Sequence, residues 1–112
     1  MNIEIYTDDK NLVFELLGKS SAKVGDSTGL ENQILLTYKG SLIRKAIGFP
    51  EIAQFALTFG SGVGAGLVAN WLYDKLRGKK ITRIVIERTE VKLNEGEIEK
   101  VINEKAEYDK HS

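Results

Sequence analysis

The chain has 112 residues, the length of one ordinary domain, and its 42% hydrophobic and 29% charged residues place it with globular proteins rather than disordered, fibrous or membrane-embedded ones. Its 16 basic and 16 acidic residues cancel, so no global field exists to hold a polyanion, and a nucleic-acid role would need a local basic patch. The absence of cysteine excludes disulfides, thiolate nucleophiles and thiolate metal ligands, and the acidic, alternating start MNIEIYTDD does not read as a secretory signal, so a cytoplasmic protein is expected.

From Asn2 to Thr7, Ile3 and Ile5 alternate with Asn2, Glu4 and Tyr6, the period-two pattern of a half-buried strand. Leu12, Val13, Leu16 and Leu17 then share one helical face, with Asp8 and Asp9 in front and Gly18 as a C-cap behind, so a short helix is expected. The rival is a hairpin with Leu12, Phe14 and Leu16 on a strand face. Lys19 to Glu31 is small, polar and glycine-containing, and reads as a loop. Gln33 to Tyr38 and Ser41 to Ala46 read as two strands joined in a hairpin through Lys39 and Gly40. Gly48 and Pro50 break the second of these, and Pro50 suits a first helical position.

Ile52 to Tyr73 is a run of 22 residues without a charge. As a membrane span it is long enough, and Gly62 and Gly66 have the spacing that lets helices approach closely. Its second half is nonetheless amphipathic: Ala65, Val68, Ala69, Leu72 and Leu76 share one face, while Gly66, Asn70, Tyr73, Asp74 and Arg77 share the other. As a nucleotide loop it offers Gly60, Gly62 and Ala65 in GxGxxA spacing, with Glu87 closing the next strand. The strand that must precede such a loop is missing from this reading, because Ile52, Phe55, Ala56 and Phe59 repeat at helical spacing after Pro50. The favoured reading is two soluble helices, broken near the glycines, with Gly60, Gly62, Gly64 and Gly66 as close-packing positions.

Ile81 to Thr89, with Ile84, Val85 and Ile86 in succession, reads as a strand inside the sheet. Asn94 is an N-cap candidate with Glu95 and Glu97 in the first turn, and Ile98, Val101, Ile102 and Lys105 follow at helical spacing. Residues 1–108 are expected to form one domain, and 109–112 a flexible tail. The fold class is therefore α+β, a small antiparallel sheet with helices on one face, in the βαββαβ order of ferredoxin-like folds plus a C-terminal helix.

Candidate chemistry is sparse. His111, the only histidine, stands next to the last residue, the serines of the loop form no nucleophile elbow, and Asp8–Asp9 and Glu87–Glu90 read as cap and surface groups. No catalytic residue, metal ligand or cofactor site is assigned, and a non-enzymatic protein is expected. Arg44, Lys45, Lys79, Lys80, Arg83 and Arg88, with Tyr38, are the candidate basic patch for RNA, but they lack an RNP-type sequence. The expected function is an interaction, accessory or inhibitory module working through protein–protein contact and self-association, with Phe49, Leu67, Trp71 and Tyr73 as contact candidates. Membrane association through residues 52–73, and nucleotide or RNA binding, are the alternatives.

Overall fold

The computed structural model describes residues 1–31, 33–42 and 50–111. The elements run β1 (Asn2–Thr7), α1 (Leu12–Leu17), β2 (Ser27–Leu30), β3 (Ile34–Leu42), β4 (Glu51–Phe59), α2 (Ala65–Leu76), β5 (Arg83–Ile86), β6 (Thr89–Val91) and α3 (Glu95–His111). One six-stranded sheet has the order β2-β3-β4-β1-β5-β6, and every neighbouring pair is antiparallel. Within it, β1-α1-β3 and β4-α2-β5 are two split units, each connecting parallel strands with one strand between them. This is the βαββαβ core, with β2 added at one edge, β6 at the other and α3 at the end.

The register explains the core. Ile3 lies opposite both Phe55 and Ile86, Ile5 opposite both Ala53 and Ile84, and Leu36 opposite Leu57, so these alternate positions build one apolar sheet face. That face joins a single buried cluster with Leu12, Val13, Leu16 and Leu17 of α1, Val68, Ala69, Leu72 and Leu76 of α2, and Ile98, Val101 and Ile102 of α3. All three helices therefore cover the same side, and each fully buried Leu, Ile or Phe adds about 1.5–3 kcal/mol of transfer free energy. Capping follows the sequence where it was clearest. Gly18 ends α1 in the left-handed region at φ 67°, and the Glu97 N–H donates to Asn94 Oδ1 at 3.2 Å at the start of α3.

The lead-in to the glycines is a correction: residues 51–59 form a strand, not a helix. Ile52, Phe55, Ala56 and Phe59 match a helical period, but Ala53, Phe55 and Leu57 also alternate, and these three face the core. Ile52 points to the opposite side and is also buried, at 3% exposed, while Gln54 and Ala56 beside it on that side are partly exposed. Between β3 and β1 the strand finds hydrogen-bonding partners on both edges, which a helix there would leave unpaired.

The expected hairpin at Lys39 and Gly40 is likewise a single strand, β3, in which Lys39 is the extra residue of a bulge between Tyr38 and Gly40. Gly40 takes φ 120°, so the chain bends there without reversing. The remainder of the expected second strand, Ile43 to Ala46, lies outside the described residues. The loop expected over Lys19 to Glu31 contains β2, and the single strand expected to Thr89 is the β5–β6 hairpin. Its two turn residues, Glu87 at φ 46° and Arg88 at φ 71°, both occupy the left-handed region. Such a turn normally takes Asn-Gly, and non-glycine residues in it cost about 1–3 kcal/mol each. Helix α3 continues through the expected tail to His111.

Candidate functional site

Of the expected contact residues, Phe49 lies outside the described residues. Leu67 is 43% exposed on α2, whereas Trp71 and Tyr73 are half-buried and packed against the core, with Lys75 Nζ 5.8 Å from the Trp71 ring centroid. These side chains thus divide between surface and core. The glycines divide as well. Helix α2 starts only at Ala65, so Gly60, Gly62 and Gly64 belong to the turn that precedes it, and a Cβ at Gly62 or Gly64 would meet nothing within 4 Å. Gly66 alone faces another helix, where a Cβ would lie 3.0 Å from Glu99 Oε1 of α3.

That contact bears on the nucleotide reading. A strand does precede Gly60, so the objection drawn from the sequence falls, and Gly64 at the start of α2 has no side-chain cap. The Glu99 carboxylate nevertheless already lies against the first turn of α2, where it complements the positive end of the helix. The membrane reading meets a different obstacle. The uncharged run is divided between β4, a turn and α2, and among the described residues no helix is long and apolar enough to cross a membrane.

Of the basic-patch candidates among the described residues, two are engaged in ion pairs. Arg44 and Lys45 lie outside the described residues, Lys79 Nζ is 3.3 Å from Glu15, and Arg83 Nε is 3.0 Å from Glu90 while its guanidinium lies over Tyr6. Tyr38 packs against Phe55 on the core face, with its hydroxyl 2.6 Å from Ser41 Oγ, and so offers no open stacking surface beside those cations.

The structure instead places an apolar groove at the β2 edge, in the segment read as a loop. A hollow of about 620 Å³ runs along the β2–β3 hairpin, where Leu30 (38% exposed) and Leu35 (45% exposed) line it, and ends at Phe59 and Gly60. Asp26 fastens the other end of this hairpin. Its carboxylate accepts the Lys23 N–H at 2.9 Å and lies 3.5 Å from Lys19 Nζ, and its carbonyl accepts the Tyr38 N–H at 2.7 Å. The Lys23 hydrogen bond, aided by Lys19, holds the Asp26 pKa below its usual 3.8. The signal in the sequence was slight: Thr28 and Leu30 are strand-compatible, but Gly29 and the polar residues on either side mask the period. Gly29 is required here, since a Cβ would come within van der Waals overlap of the Ile34 carbonyl.

Among the described residues no group of three acidic or histidine side chains is placed to hold a metal ion. Comparison with protein-family models, curated proteins and solved structures finds no match to this chain.

Proposed function

We propose that this α+β domain is a non-catalytic interaction module that binds a protein partner along the β2 edge. The observation that carries the reading is the groove beside the outermost strand, with one exposed leucine on each face of the hairpin, Leu30 opposite Ile34 and Leu35 opposite Gly29, and no lysine or proline within Ser27–Leu30 to discourage pairing. An extended segment of a partner would add to the open edge through backbone hydrogen bonds and seat apolar side chains against Leu30, Leu35 and Phe59. A second copy of the same chain is the simplest such partner. By contrast, the opposite edge strand β6 has three residues and carries Glu90 in an ion pair, a form that resists edge-to-edge contact.

The test compares the parent with a Leu30→Lys, Leu35→Lys double variant. Both leucines are partly exposed, so the isolated domain should keep its melting temperature within a few degrees. Light scattering after size exclusion and co-purification from the native host should show a bound chain, of the same or another kind, with the parent and not with the variant. A parent that stays monomeric at high concentration and recovers no partner, or a variant that retains one, refutes the reading.

A further inference from the structure

A second, chemically different hollow lies where Glu4 and Gln54, which alternate with the core positions Ile3 and Phe55, meet the β5–β6 turn and α3. Glu4 and Gln54 lie side by side along it in β1 and β4, and the register position beyond Gln54 is Gly40, next to the bulge residue Lys39. Three cationic residues line the cavity from three separate elements: Lys39 from the β3 bulge, Arg88 from the β5–β6 turn and Lys105 from α3. The cavity holds about 600 Å³, within the range of small-ligand pockets.

Two backbone irregularities serve this convergence. The bulge inserts Lys39 where a regular ladder would have none, and bulges commonly re-aim a side chain beside a site. The left-handed Glu87–Arg88 turn holds an arginine where glycine would be relaxed, and such strain persists where function retains it. Of the two acids at the cavity, Glu87 is engaged with β1: its carboxylate accepts the Asn2 N–H at 2.6 Å and its own N–H donates to the Asn2 carbonyl at 2.9 Å. Among the lining residues the three cations outnumber the two carboxylates, and Glu87 also lies 4.0 Å from the Met1 ammonium.

The geometry points to a binding site for a small phosphate ester, with the three cations on the phosphate and Glu4 and Gln54 on hydroxyl or amino groups of the attached moiety. Lysine and arginine together supply charge-assisted donors, and a carboxylate beside an amide accepts from the uncharged part of the ligand. A long polyanion suits the site less well, because the protein has no net charge and the cations enclose one cavity rather than a stripe.

Isothermal titration of the full chain at low salt with ribose 5-phosphate, AMP and inorganic phosphate tests this, with a single-stranded RNA oligonucleotide as the fourth probe. At least one of the two esters should bind saturably, and the tighter of them marks the ligand as a sugar phosphate or a nucleotide. Lys39→Gln, Lys105→Gln and Arg88→Gly should each weaken that binding roughly tenfold. Arg88→Gly is the discriminating variant, since it relaxes the turn and should melt above the parent, so its loss of affinity would not be a loss of fold. The proposal is overturned if neither ester binds at concentrations up to about 10 mM. It is equally overturned if only the oligonucleotide binds, or if Arg88→Gly binds the ester as tightly as the parent.

Discussion

Gly66 is the one glycine of the central run that touches another helix, and replacing it separates two opposing effects. An alanine there gains about 1 kcal/mol of helix propensity over glycine. Its Cβ would stand 3.0 Å from Glu99 Oε1, so the carboxylate has to swing away and gives up its place beside the positive end of α2. That place contributes about 0.3–1 kcal/mol. The terms largely cancel, and Gly66→Ala should melt between the parent temperature and about 3 °C above it, at about 4 °C per kcal/mol for a chain of this length. In a Glu99→Ala background the opposing effect is absent, and the same substitution should show the full gain of about 1 kcal/mol. Gly66→Leu, by contrast, forces a branched side chain between α2 and α3 and should cost about 1–3 kcal/mol. Urea denaturation of the four members of the double-mutant cycle and of the leucine variant measures each value. If Gly66→Ala lost more than about 2 kcal/mol, equally with and without Glu99, backbone contact rather than the carboxylate would be filling the space, and the reasoning would fail.

Gly62 provides a contrast in the same segment: its surroundings are open and its φ is not left-handed, so Gly62→Ala should stabilise by about 0.4–1 kcal/mol through the unfolded chain, and a lower melting temperature would contradict this. Thr7, the buried polar residue of β1, donates to the Lys80 carbonyl and accepts the Asp9 N–H at 2.9 Å. Thr7→Val should therefore cost about 1–3 kcal/mol in denaturation, while Thr7→Ser should keep most of the stability. Asp26 gives a pH dependence with a defined sign. Because its folded pKa lies below 3.8, its contribution is fully present above 3.8 and is lost as pH falls through the depressed value. The protection of Ser27–Leu30 amides against exchange, taken relative to the intrinsic rate at each pH, should fall in that acid range, and Asp26→Asn should remove the dependence.

The sequence alone determined those features whose physics is local. Ile3 and Ile5 in β1, the apolar stripe Val68, Ala69, Leu72 and Leu76 of α2, and the caps Gly18 and Asn94 were legible because period and capping are set within a few residues. The α+β class survived although the elements between α1 and α2 were misassigned: the two strands expected there both fall on β3, while β4 was read as helix and β2 as loop, so three strands stand where two were expected. Tertiary structure decided the rest. Residues 51–59 satisfy both a helical and a strand period, and the slot between β1 and β3 settles the choice, because there Ile3 and Ile5 meet Phe55 and Ala53 across some fifty residues of chain. The same holds for the two hollows. The groove at Leu30 and Leu35 exists because β2 pairs with β3 at the sheet edge, and Lys39, Arg88 and Lys105 meet because a bulge, a turn and a helix bring together residues that no spacing along the chain connects.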